Sequence, residues 1–320
     1  MSIIERQKTI LKIPEKYREA ILPVPKSAKI ELTSRCNYRC KFCALTMRKQ
    51  QTNKEMDFAF FKKITKQMKK VGVEEIGVFY IGESFTNPTL LVNAITYLKK
   101  DLEIPYVFLT SNASLAAPKY VKQCMEAGLD SLKWSCNVAD AEQFTRLIGV
   151  ATHFFDHGLT NIHDAWEIRN TGKFKCTLSA SSIKYNDGQE QKMEEFLNKF
   201  VRPYVDEHYW LPLYSAGGEA TQKEGELGYR PVAGNTGRVD DPSDPIPCWT
   251  LFTSAHVLVD GRLTGCCLDG SGKWVMGDLK TEHFIDAWNS PKFVELRKKH
   301  LSGDIRGTIC EKCALSGETL

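Results

Sequence analysis

Three cysteines, Cys36, Cys40 and Cys43, stand in a C-x3-C-x2-C array directly after the β-like run 29–33. Thiolates bind zinc and iron–sulfur clusters, and three of them are one too few for a [4Fe–4S] cubane, which needs four ligands. One iron would then stay open to a small chelating molecule. Zinc is the alternative, although zinc ribbons prefer paired C-x2-C knuckles and lack an aromatic such as Phe42, which precedes the last cysteine here.

A second set lies far down the chain. Cys248, Gly261 and Cys266 form a C-x12-G-x4-C arrangement, and the distant pair Cys310 and Cys313 adds a C-x2-C. Four thiolates enclose one cubane completely, though a structural zinc held by four cysteines would use the same ligands. Cys267, beside Cys266, is a spare: either a small core thiol or a hydrogen-atom or proton donor near a substrate. Asp269 is a candidate proton acceptor, whereas Asp260 with Gly261 reads as a hairpin turn. Cys124, Cys136 and Cys176 read as buried thiols.

The elements that must position these groups alternate. Strand-like runs fall at 28–33, 74–80, 105–110, 129–136, 173–180 and 207–212, and helical patterns at 57–71, 88–100, 116–127, 140–156, 160–170 and 189–202. Such alternation favours a parallel α/β sheet with right-handed crossovers. In parallel barrels the chemistry gathers at the carboxyl ends of the strands. There the chain places Gly82 and Glu83, then Ser111 and Asn112, then Ser135. Farther on, a strand-like run at 255–259 and a helical pattern over 285–298 accompany the second cysteine set.

The segment Cys36-Asn37-Tyr38-Arg39-Cys40-Lys41-Phe42-Cys43 resembles the signature of the radical SAM superfamily. The resemblance implies a partial (β/α)6 TIM-like barrel whose open cluster iron is chelated by S-adenosylmethionine, with Phe42 among the cofactor contacts. Reductive cleavage of that sulfonium yields a 5′-deoxyadenosyl radical. Ile81-Gly82-Glu83 looks like the family's G-G-E motif with Ile81 in place of the first glycine, which implies a carboxylate facing the methionine ammonium. Ser111-Asn112 resembles the family step that contacts the ribose or carboxylate; such residues also serve as helix N-caps. The block from Ser135 to Arg146 and Gly149 is similar to one in family members with a C-terminal cluster domain, with Asn137 where Asp is usual. Ser135 and Arg146 are thereby cofactor contacts or a structural polar pair. The distal cysteines resemble a twitch domain, the shortened relative of SPASM.

Composition bounds the rest. The 320 residues hold one large domain and a small one, divided as an N-terminal extension 1–27, a core 28–213, a Gly- and Pro-rich bridge 214–247 that could cover the barrel mouth, and a cluster domain 248–320. A net charge of +4 from 43 basic and 39 acidic residues suggests neither a nucleic-acid nor a membrane partner, and the lysine run 62–70 reads as a solvated helix face. Without an apolar run of membrane length or a signal-peptide core, the expected location is the cytoplasm, where eleven cysteines are better read as ligands and buried thiols than as disulfides.

The expected activity is hydrogen abstraction from a small polar substrate and a two-electron oxidation, with the second [4Fe–4S] cluster as electron acceptor and a flavodoxin- or ferredoxin-type protein as reductant. The alternatives are epimerisation or crosslinking of a ribosomal peptide and a non-catalytic metal scaffold.

Overall fold

The computed structural model describes residues 2–47, 53–185, 188–216, 231–232 and 234–314. Six strands are joined in chain order into a parallel sheet: β1 (Ser27–Ile30), β2 (Glu75–Gly77), β3 (Tyr106–Ser111), β4 (Ser131–Ser135), β5 (Thr177–Lys184) and β6 (Glu207–Pro212). Each strand pairs with the next, as an open barrel of six βα units requires. Alternate residues face the lumen and the helices.

Crossover helices begin and end where local chemistry dictates. α2 (Phe58–Val71) starts at Asp57, whose carboxylate accepts from Phe60 N at 2.7 Å, and stops at Gly72, whose φ of 94° suits glycine. It buries Phe61, Ile64 and Met68 against the sheet, each worth about 1.5–3 kcal/mol. Lys62, Lys63, Lys66, Lys69 and Lys70 face solvent, as the charge pattern suggested.

The first two strands end at Ile30 and Gly77 rather than at 33 and 80, and three further boundaries differ more. The fifth strand runs 177–184 rather than 173–180, because its buried, small-residue stretch, not the run around Phe174, enters the sheet. The helix expected over 140–156 ends at Ile148, where Gly149 turns left-handed at φ 70°, and the next helix, His153–Thr171, starts earlier and runs longer than 160–170. The helix expected over 285–298 is two, Phe284–Trp288 and Pro291–Ser302, since Pro291 must open a helix rather than continue one.

The C-terminal region extends the same sheet. β7 (Ser254–Val257) pairs parallel with β1, and β8 (Arg262–Thr264) and β9 (Val275–Asp278) follow antiparallel. Buried Glu31 accepts from Val259 N at 2.9 Å and locks this hairpin to the barrel. Arg297, also buried, donates to the carbonyls of Leu251, Ala20 and Trp288. The N-terminal segment forms α1 (Ile3–Leu11), opened by a Ser2–Glu5 capping box. Of the bridge, Gly217 and Gly218 lie outside the described residues. No described helix is long and apolar enough to cross a membrane.

Candidate functional site

The cysteine loop leaves β1 and is fastened from two sides. Arg39 N donates to Ile148 O at 3.1 Å and Lys41 N to Leu147 O at 2.8 Å, so the C-terminal turn of the helix Ala141–Ile148 holds the loop. The stretch around Arg146 thus acts through its backbone. The Arg146 side chain is exposed and lines neither of the cavities described below. From the other side, Glu83 N donates to Arg35 O at 2.7 Å. Gly82 is required there: a Cβ would lie 2.0 Å from Thr33 O.

Burial pushes the Cys36 thiol up to about 12, with nearby Glu83 and Cys43 adding to it. Cys40 is raised by burial and then by Cys43 and Cys36. Thiols so raised at Cys36 and Cys40 are poorly ionised alone, and a polycationic cluster supplies the charge that thiolates need. Phe42 packs with Cys36 and Cys40 against an apolar group that includes Tyr38, Phe144 and Leu147.

Glu83 is buried, and its carboxylate accepts from Phe85 N (3.1 Å), Ser111 Oγ (3.0 Å) and Asn112 N (2.8 Å). Burial raises its pKa while these bonds pull it down. No described cation pairs with it, which leaves a carboxylate suited to an ammonium ligand. Asn112 Nδ2 donates to Asn37 Oδ1 at 3.0 Å, and Asn37 Nδ2 to Ser114 Oγ at 2.8 Å, tying β3 to the cysteine loop. Sequence reasoning missed Asn37 and Ser114. The polar neighbour of Cys36 inside the motif was the available signal.

Ser135 and Cys136 line a cavity of about 80 Å³ together with Tyr38, Cys40 and Asn112. Cys136 is half-buried there, pushed up to about 12 by burial, whereas Cys124 and Cys176 are buried, as expected.

At the distal set, Cys248 is pushed up to about 12 by burial, then by Cys267 and Cys313; Cys310 is raised by burial, then by Cys248 and Cys313. Cys266 feels Cys267 most and then Cys313 and Cys248. The four expected ligands are therefore electrostatic neighbours, and their donor set fits an anionic thiolate cage. Among the described residues, no three His, Cys, Asp or Glu side chains are grouped as the ligands of one metal ion. Gly234 N donates to Cys313 O at 2.7 Å, so the segment expected as a bridge touches this site.

Cys267 accepts from Asn235 Nδ2 at 2.8 Å and faces the barrel lumen. Asp269 does not. It is buried in its own hairpin, accepting from Thr264 Oγ1, Ser271 Oγ, Lys273 N and Trp274 N at 2.7–3.2 Å. Asp260 binds Arg262 Nε at 2.9 Å in the turn.

The lumen holds a cavity of about 300 Å³ lined by Lys29, Tyr80, Thr110, Lys133, Arg238 and Cys267, among others. Gln7 and Arg6 of α1 close its lower end: Gln7 Nε2 donates to Tyr209 Oη at 2.5 Å, and Arg6 pairs with Glu75 at 2.7 Å while stacking 3.5 Å from the Tyr106 ring centroid. The motif-free N-terminus is thus a plug. Near the other end, Tyr80 Oη donates to Cys266 O at 2.6 Å, joining the loop after β2 to the distal cysteines.

Comparison with known proteins places this geometry. Residues 30–200 match the family model described as the radical SAM superfamily, and residues 248–314 match that of SPASM, described as an iron–sulfur cluster-binding domain. The S-adenosylmethionine-dependent nucleotide dehydratase RSAD2 of Danio rerio is 29% identical over 174 residues, 53% of this chain and 46% of that protein. The chain spans about half the length of the first such relatives. The structure of BtrN in complex with AdoMet and 2-DOIA superposes with a TM-score of 0.59 at 17% identity, covering 92% of this chain and 96% of that one. SuiB of Streptococcus suis bound to S-adenosylmethionine gives 0.64 at 15% identity, covering 88% of this chain and 69% of that one. At such identities the two structures show the fold, which is the partial barrel expected from the sequence.

Proposed function

The chain belongs to the radical SAM superfamily, whose model spans residues 30–200, and on that premise we propose that it oxidises a small polar substrate by two electrons, with the distal cluster as electron acceptor. The [4Fe–4S] cluster and S-adenosylmethionine, when bound, supply a carbon-centred radical that removes a substrate hydrogen atom. Cys36, Cys40 and Cys43 would hold the cluster, and Glu83 the cofactor ammonium, with Ser111 and Asn112 fixing that carboxylate. Ser135 and Phe42 line or pack the cofactor side of the loop. Arg146 has no part in this reading.

Cys248, Cys266, Cys310 and Cys313 would enclose a second cluster, leaving no iron for substrate. Electron transfer is the remaining use. After losing a hydrogen atom, the substrate gives up a proton and one electron, which balances a two-electron oxidation. The observation that carries this reading is the lumen cavity, bordered at once by Tyr80 from the loop that carries Glu83 and by Cys267 next to Cys266. Of the two residues expected to act on substrate, Cys267 faces that cavity. Asp269 we assign to holding its hairpin.

A peptide substrate is the second reading, since SuiB has also been solved bound to a precursor peptide. A lumen of about 300 Å³ closed below by α1 accommodates a small molecule or one side chain. An external flavodoxin- or ferredoxin-type reductant completes the scheme.

Incubation with dithionite and S-adenosylmethionine tests the function: release of 5′-deoxyadenosine is expected, and its absence would refute radical chemistry. In D2O, the product should carry no carbon-bound deuterium. One deuterium per turnover, lost in Cys267→Ala, would replace oxidation by epimerisation.

A further inference from the structure

We propose that the substrate carries an oxyanion, a carboxylate or a phosphate, bound in the barrel lumen between the ammonium groups of Lys29 and Lys133. This rests on the reading of the lumen as the substrate site and names the class of molecule that enters it.

Among the described residues, four cations line the cavity, Arg6, Lys29, Lys133 and Arg238, against one carboxylate, Glu75. Glu75 is already taken by Arg6. Arg238 spends one nitrogen on Asp240 and Asp241, while its Nη1 is buried without a hydrogen-bond partner among the described residues. Lys29 and Lys133 have no carboxylate partner among those residues. Their ammonium groups rest on ring faces: Lys29 lies 5.7 Å from the Trp249 centroid and 5.9 Å from that of Phe79, and Lys133 lies 5.8 Å from that of Tyr209.

Burying a cation without an anion is costly, and two that repel each other cost more. Burial pulls both lysines below the ordinary lysine range, Lys133 to about 8, and the charge of Lys133 lowers Lys29 further. At neutral pH Lys133 still carries its proton. The two lysines sit on β1 and β4, at inward positions two residues after Ser27 and Ser131, which line the cavity too. Proximity to the distal cluster explains part of Lys29, whose thiol neighbours are Cys267 and Cys266. It does not explain Lys133, whose only such neighbour among the described residues is Cys136, outside both ligand sets. An anionic substrate group compensates both charges, and Arg238, which lines the same cavity, offers a third donor in its Nη1.

The test is titration calorimetry with inorganic phosphate and, separately, malonate, using cluster-reconstituted protein saturated with S-adenosylmethionine so that the cofactor's own carboxylate is already seated. Saturable binding of at least one anion is expected in the wild type, weakened about tenfold or more in Lys133→Gln, the loss of one charged hydrogen bond. If that variant fails to take up its clusters, Lys29→Gln carries the same expectation. Preference for phosphate would identify a phosphorylated substrate, and preference for malonate a carboxylate. Absence of binding of either anion to the wild type, or undiminished binding in the variant, would overturn the proposal. Release of 5′-deoxyadenosine, measured on the wild type alone, reports on the function itself, so the two readings fail separately.

Discussion

The Glu83 carboxylate accepts the backbone N–H of Asn112 at 2.8 Å, joining the loop after β2 to the end of β3 immediately beside the cysteine loop. A residue expected to bind cofactor therefore also builds the site that receives it. Glu83→Gln turns one acceptor oxygen into a donor and removes the charge. S-adenosylmethionine binding should weaken by roughly ten- to a hundredfold, as the loss of about 1.5–3 kcal/mol implies. Calorimetry on the reconstituted protein measures this, and an unchanged dissociation constant would restrict Glu83 to its loop.

Anaerobic reconstitution should yield about eight irons and eight sulfides per chain, because seven cysteines form one open and one closed ligand set. Metal and sulfide analysis decides it. A stable content near four irons and one zinc would remove the second cluster.

The two cysteine sets should differ in what they abolish. Cys36→Ala, Cys40→Ala and Cys43→Ala are expected to end S-adenosylmethionine cleavage, whereas Cys248→Ala should retain some unproductive cleavage and lose product. Chromatography of 5′-deoxyadenosine against product separates these outcomes; full cleavage by the Cys40 variant would contradict the assignment of the loop.

Arg297 joins the two ends of the chain through the carbonyls of Ala20, Leu251 and Trp288, with its guanidinium 4.3 Å from the Trp288 ring centroid. Arg297→Met leaves those carbonyls unpaired and should cost about 3 kcal/mol or more. Urea unfolding reports it. A change within about 0.5 kcal/mol would mean that the carbonyls find other partners.

Lys133 makes a pH-dependent contribution of known sign. Its folded pKa, lowered by burial to about 8, lies below the ordinary 10.5, so between those values the unfolded chain binds more protons and stability rises with pH. Below about pH 8 the buried charge destabilises the fold. Lys133→Met should therefore be the more stable protein at pH 7, by up to about 3 kcal/mol, with its advantage shrinking from pH 8 to 10.5. Urea midpoints across that range would show a constant difference if Lys133 were not strained by its charge.

Local spacing alone was enough for much of this protein. Cys36, Cys40 and Cys43 fall within one loop, and a loop's ligand set is written in its own residues. The six βα units were legible for the same reason, since hydrophobic period and helix-stop glycines such as Gly72 act over a few residues. Where the sequence left two choices, packing decided. Apolar content surrounds the fifth strand on both sides, so only its fit beside β4 and β6 selects 177–184 over 173–180.

Other properties exist only once the sheet has curled. Asp269 and Cys267 are two residues apart, yet one spends its oxygens inside a hairpin and the other faces the lumen. The capping box of α1 foretells a helix but not that it stoppers a barrel, because its partners Glu75, Tyr106 and Tyr209 are distant in the chain. Likewise Lys29 and Lys133 are ordinary strand lysines until barrel closure turns both inward and sets two like charges against each other. Periodicity states that alternate residues share a face; which face becomes the interior, and what stands opposite, is a property of the tertiary structure.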